Sequence, residues 1–145
     1  MLKNIPSIIS PELMKILMEM GHGDEIVLAD GNFPAASMAK RLVRYDGQGT
    51  IHLLEAIADF FPIDTYVSHP ATVMKVVEGD SINPTIWGQY DIILSQAENR
   101  IIKLEHLERN DFYERAKNAH AIVATSEKAL YANIILKKGI ITEDR

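Results

Sequence analysis

Cysteine is absent from the 145 residues, which rules out both a disulfide framework and thiolate chemistry and fits a chain kept in a reducing, cytoplasmic compartment. A basic excess is missing too. With 15 basic and 20 acidic residues the formal charge is -5, the wrong sign for a nucleic-acid binder, and the charges are interspersed rather than gathered into a tail. No apolar run approaches the roughly 20 residues needed to span a bilayer, and the opening MLKNIPSIIS has no continuous apolar stretch of the signal-peptide kind. Neither a nucleic-acid nor a membrane partner is expected. The phosphate-binding loops are lacking as well. Gly21-His22-Gly23 has no following glycine and lysine for a Walker cradle, and a GxGxxG fingerprint is absent, so no dinucleotide cofactor has support. There is no HExxH, and the five histidines (His22, His52, His69, His106, His120) are too scattered to suggest a metal site.

What remains is a chain of single-domain length, 47% hydrophobic, with the composition of an ordinary globular protein. Ser10-Pro11-Glu12 is a helix start, with Ser10 as N-cap and Pro11 at the first helical position. Leu13, Ile16, Leu17 and Met20 follow at helical spacing, and Gly21 stops the run. Residues 25–29 read as a buried strand delivering Asp30 to its end. A Gly31-Asn32 turn follows, then a short helix opened by Pro34. Further strands are expected at 42–45, 101–104, 121–124 and 133–136, with 65–67 extended and 71–77 either strand or helix. Further helices are expected at 50–61, after an Asn83-Pro84 cap, and at 111–118 with Phe112 and Ala116 inward. Strands alternating with helices argue for an α/β fold, layered α/β/α around a mixed, mostly parallel sheet.

Within that frame the segment 21–34 attracts attention because two ionisable groups, His22 and Asp30, mark its ends. A histidine after a helix is commonly a surface residue whose positive form suits the C-terminal dipole. On a glycine-flanked loop it also has the chemistry of a proton donor and acceptor. Asp30 is equally readable as a turn residue or as a ligand group at a strand C-terminus, where α/β folds bind ligands. Arg109 stands among acids ahead of a helix, and Tyr131 and Asn133 have hydroxyl-binding groups at the start of the last strand.

Together these stretches resemble the L-fucose mutarotases, relatives of the D-ribose pyranases. The resemblance rests on SPELMKILMEM (10–20), GHGDEIVLAD with NFP (21–34), ADFFPIDTYVSHPATVM (58–74) and RNDFYERAKNAHAIVATSEKALYANIILKKG (109–139), which keep their order over nearly the whole chain. It implies a cofactor-free isomerase that interconverts the α and β anomers of a reducing sugar. It places the family's proton-donor histidine on His22 and its substrate-binding aspartate on Asp30. The arginine of the fucose branch falls on Arg109, and the Tyr-x-Asn substrate segment falls on Tyr131, Ala132 and Asn133. Tyr131 is further assigned the anomeric proton. The resemblance also implies pentameric rings paired into a decamer, with sites near subunit boundaries. Ala132 stands where the fucose branch usually has glycine and the ribose branch alanine. Ser126 and His120 replace a usual glycine and phenylalanine. Arg109 and FYERA favour L-fucose. The alternatives are a D-ribose pyranase and a non-catalytic monosaccharide-binding module.

Overall fold

The computed structural model describes residues 1–144. Six strands form one mixed sheet in the order β2-β5-β1-β6-β3-β4. They are β1 (Glu25–Ala29), β2 (Leu42–Tyr45), β3 (Ala71–Met74), β4 (Glu105–Leu107), β5 (Ala121–Thr125) and β6 (Ile134–Lys137). Pairings β2–β5, β1–β5 and β3–β4 are parallel, whereas β6 runs antiparallel to both β1 and β3. Five strands therefore point one way and β6 alone returns.

Five helices cover the sheet: α1 (Pro11–Glu19), α2 (Ala35–Met38), α3 (Thr50–Ala58), α4 (Ile86–Glu98) and α5 (Arg109–Asn118). The two faces are legible in β1, whose alternate side chains enter different clusters. Ile26 and Leu28 join Leu13, Leu17, Leu54, Ile57 and Tyr90 from α1, α3 and α4. Val27 and Ala29 join Phe33, Ala35, Phe112 and Ala116 around α2 and α5. The expected α/β/α layering is what the chain adopts. Burial on both faces also explains why β1, β3 and β5 are apolar runs rather than alternating ones.

Local signals held where side-chain chemistry was explicit. Ser10 caps α1, its hydroxyl accepting the Leu13 amide at 3.1 Å. Four expectations need correction. The α4 cap is Thr85, one residue beyond Pro84, because the Pro84 carbonyl first accepts the Trp87 amide in a turn. Residues 101–104 are not a strand. Ile102 and Leu104 are buried, but the Ile102 amide is held by Ser95 Oγ, and pairing with β3 begins only at Glu105. Apolar alternation there marks burial, not ladder partners. Residues 65–67 form bends, since the Asp64 carboxylate captures the Tyr66 amide at 3.1 Å. The helix expected over 50–61 ends at Ala58. The ambiguous 71–77 segment is strand over Ala71–Met74.

Candidate active site

The topology decides which loops meet. At the edge where the five parallel strands end lie Asp30 after β1, the loop after β3, and Arg109 at the start of α5 after β4. Because β6 is reversed, the residues that precede it, Tyr131 to Asn133, arrive at this same edge. Asp30, Asn32, Phe33, Met74, Val77, Asp80, Arg109, Tyr113, Tyr131 and Asn133 line an open cavity of about 220 Å3 there.

Asp30 and Asn133 are almost fully buried and tied to each other, the Asp30 amide donating to Asn133 Oδ1 at 2.7 Å. Burial pushes the Asp30 carboxyl above the usual range, against the amides of Asn32, Ala132 and Phe33, which favour its charged form. Tyr131 sits at φ +57, a left-handed conformation that is uncommon for a non-glycine residue. It is held there by two donors from α4. Trp87 Nε1 donates to the Tyr131 carbonyl at 2.8 Å, and Tyr90 Oη donates to the Ala132 carbonyl at 2.6 Å. The strain of a left-handed tyrosine is of order 1–3 kcal/mol and persists because its surroundings over-determine it. Ala132 itself is fully buried and does not line the cavity.

The FYERA stretch of α5 now has a physical reading. Phe112 and Ala116 are in the core, while Tyr113 turns its ring to the cavity. Phe33 meets both aromatic rings edge-on, at 6.2 Å and 5.3 Å between centroids. Arg115 clamps the helix to the sheet through Glu25 and through Glu105 at 2.6 Å. Arg109 occupies the first helical position, where the helix dipole disfavours a cation. It lies 5.2 Å from the Tyr113 ring centroid and projects its charge to the cavity.

His22 is not in this cavity. It precedes β1, and the five-residue strand, at ~3.3 Å per residue, puts roughly 16 Å between it and Asp30. At that opposite edge His22 Nε2 lies 3.0 Å from Asp64 Oδ1. Burial pushes the Asp64 carboxyl up, but the Tyr66 amide, the His22 ring and Lys137 outweigh it and hold it below the usual range. The half-exposed His22 ring also packs against Tyr66, 5.0 Å between centroids. Gly139 explains how Asp64 is positioned. A Cβ on it would stand 2.9 Å from both Asp64 Cα and the Ile63 carbonyl, so only glycine lets the two backbones approach.

One chain thus brings together Asp30, Arg109, Tyr131 and Asn133, and leaves His22 with Asp64 at the other edge. Asp64, Asp80, Phe33 and Tyr113 escaped the sequence reading. Asp64 and Asp80 sit in loops, their His22 and Tyr131 partners are 42 and 51 residues away, and nothing in their local spacing singles them out. Among the described residues no three His, Asp or Glu side chains converge as a metal site, and no helix is long and apolar enough to cross a membrane.

Comparison with known proteins puts this geometry in context. The profile of the RbsD / FucU transport protein family matches residues 3–141. The chain belongs to the RbsD / FucU family. Among RbsD / FucU relatives, it is 51% identical over 140 residues to the L-fucose mutarotase of Haemophilus influenzae, covering 97% of each chain. It is 49% identical to the human fucose mutarotase, covering 97% of this chain and 94% of that one. A crystal structure of the fucose mutarotase from Streptococcus pneumoniae in complex with L-fucose is 53% identical, with a TM-score of 0.92 over 97% of this chain and all of that one.

Proposed function

We propose that this RbsD / FucU chain is an L-fucose mutarotase, an isomerase that interconverts the α and β anomers by acid–base-assisted opening and reclosure of the pyranose ring. The observation that carries the reading is the convergence of Asp30, Arg109, Tyr131 and Asn133 on one small cavity walled by Phe33 and Tyr113. Buried acceptors, a cation and a phenol at fixed positions suit a polyhydroxylated ring, and the aromatic and methionine wall suits its apolar edges. Names and full-length similarity of the relatives point the same way.

Ring opening needs a proton given to the ring oxygen and one taken from the anomeric hydroxyl. His22 donates the first, oriented by Asp64, and Tyr131 takes the second. The C1–C2 bond then rotates and the steps reverse. Each positioned acid–base group contributes about 10²–10⁴-fold, which suffices for a reaction that already runs slowly in water, without a cofactor. Since His22 lies a full strand length from the cavity of its own chain, the reading requires that a neighbouring copy supply it. Exposed apolar side chains border both halves: Tyr66 and Val67 beside His22, and Val77 and Leu130 at the cavity. Such borders suit an assembly in which the histidine edge of one chain covers the cavity of the next, in pentameric rings paired into a decamer in the cytoplasm.

The test is saturation-transfer NMR of anomer exchange on L-fucose, D-galactose and D-ribose. Acceleration on L-fucose that disappears in His22→Ala supports the proposal. Binding of L-fucose without acceleration would establish a binding module instead, and a preference for D-ribose would establish a pyranase. Ala132, the residue that leaned towards ribose, has its side chain out of the cavity, which removes that argument.

A further inference from the structure

We propose that Asp80 is the positioning residue for Tyr131: it takes up the phenolic proton as Tyr131 takes the proton of the anomeric hydroxyl. The inference rests on the mutarotase reading above and assigns to the loop after β3 a role in proton transfer.

Four contacts carry it. Tyr131 Oη donates to Asp80 Oδ2 at 2.7 Å. The other carboxylate oxygen, Oδ1, accepts the Ile82 amide at 3.1 Å, and the Asp80 amide donates to the Val77 carbonyl at 3.1 Å. Gly79, at φ +89, supplies the left-handed residue that this turn needs. The carboxylate is therefore aimed by its own loop and not by Tyr131. The fourth contact is a long one, from the Val77 amide to Tyr131 Oη at 3.4 Å.

A phenol has one hydrogen and two lone pairs. In Tyr131 the hydrogen points to Asp80 and one lone pair towards Val77, which leaves the other lone pair to meet a sugar hydroxyl. Tyr131 thus faces the ligand as an acceptor. A neutral phenol is a very weak base unless its own proton departs as the new one arrives, and Asp80 is placed to receive it.

The step balances as follows. The anomeric O–H proton passes to Tyr131 Oη, and the Tyr131 proton passes to Asp80 Oδ2. The anomeric oxygen forms C1=O while the bond from C1 to the ring oxygen breaks. The electron pair of that bond goes to the ring oxygen, which takes the His22 proton. Reclosure runs the same transfers backwards. The hydrogen bond to Asp80 holds the Tyr131 phenol above its ordinary range, with Arg109 pulling the other way. The remaining ionisable groups around the cavity are Asp30 at the end of β1 and Tyr113 on α5.

Asp80→Asn tests this, because a carboxamide oxygen still accepts the tyrosine hydrogen bond but does not hold a proton. The expected result is a fall of about 10²-fold in kcat for L-fucose exchange, unchanged affinity for L-fucose, and loss of the acid limb of the kcat–pH profile. Tyrosine labelled with ¹³C at Cζ should show Tyr131 titrating closer to the ordinary ~10 in the variant, and Asp80→Glu should recover part of the rate. An unchanged kcat overturns the proposal, as does an acid limb that persists and so belongs to Asp30. Loss of affinity with kcat intact overturns it by making Asp80 a binding group. The wild-type chain is measured alongside. Acceleration by wild type with no effect of Asp80→Asn defeats the Asp80 role alone, whereas no acceleration by wild type defeats the mutarotase reading with it.

Discussion

Removing one buried hydroxyl 42 residues away in sequence should disturb the substrate cavity. Tyr90 is fully buried on α4 and donates its phenolic hydrogen to the Ala132 carbonyl at 2.6 Å. Its oxygen also lies 2.5 Å from Thr50 Oγ1, which in turn donates to Glu127 at 3.0 Å. Tyr90→Phe keeps the ring and its packing and deletes the hydrogen bonds to Ala132 and Thr50. Thr50 retains Glu127, but the Ala132 carbonyl, in a residue with no exposed surface, is left without that donor. An unsatisfied buried acceptor costs about 1–3 kcal/mol. For a chain of this size each kcal/mol lowers Tm by roughly 2–4 °C, so a fall of about 2–12 °C is expected at fixed protein concentration. The larger consequence concerns position. Tyr131 and Ala132 are held by Trp87 and Tyr90 together, and with one donor gone the left-handed Tyr131 relaxes towards an ordinary conformation, carrying its hydroxyl away from Asp80. Anomer exchange should fall more than L-fucose affinity, because Asp30 and Asn133 keep their own hydrogen bond. Differential scanning calorimetry and saturation-transfer NMR on the same sample read both. A variant that melts lower but exchanges at the wild-type rate would show that the α4 donors stabilise the fold without positioning the tyrosine. No change in either would refute the reasoning altogether.

Two further outcomes follow from the two edges of the sheet. Gly139→Ala places a Cβ 2.9 Å from Asp64 Cα and forces that backbone aside, so exchange should collapse while L-fucose binding by calorimetry survives. Equal loss of both would mean that the two edges are not separate. Asp30 gives the pH dependence. Its folded-state carboxyl is raised by burial, so it protonates at a higher pH than a free aspartate, and L-fucose affinity should begin to fall above that ordinary value as the pH drops. A raised pKa contributes stability only below the unfolded value and loses it as pH rises through the folded one. Asp30→Asn should therefore be at least as stable as wild type at pH 7 yet bind L-fucose more weakly; reduced thermal stability there would contradict the assignment.

The sequence disclosed elements wherever a local rule was at work. Ser10 and Pro11 announced α1, the apolar blocks announced β1 and β5, and Phe112 with Ala116 announced the buried stripe of α5. It failed where the deciding contact is distant or is made by a side chain. The strand expected at 101–104 lay three to four residues early because burial and ladder pairing look alike in one dimension. Thr65 to Val67 looked extended because the Asp64 side chain that bends them was invisible as a partner. The site shows the same division. Asp30, Arg109, Tyr131 and Asn133 were nameable one by one, yet their meeting depends on the reversal of β6, which no short-range pattern encodes. His22 was nameable too, but reading 21–34 as one continuous site stretch hid the fact that a strand carries its two ends to opposite edges. Asp64 and Asp80, the partners that orient His22 and Tyr131, had no signature beyond being acids in loops.

The central claim is that the cavity of one chain works with the His22 of another, and mixing two inactive variants tests it most directly. His22→Ala keeps an intact cavity, and Tyr131→Phe keeps an intact His22–Asp64 pair. Each alone should leave L-fucose exchange at the uncatalysed rate. Unfolded together in equal amounts and refolded, they should assemble randomly, and about one site in four should then combine a native cavity with a native histidine. Recovery of about a quarter of the wild-type exchange rate is the predicted result. If the mixture stays as inactive as its components, while wild type carried through the same refolding recovers its activity, the two halves do not come from different copies and the account is wrong.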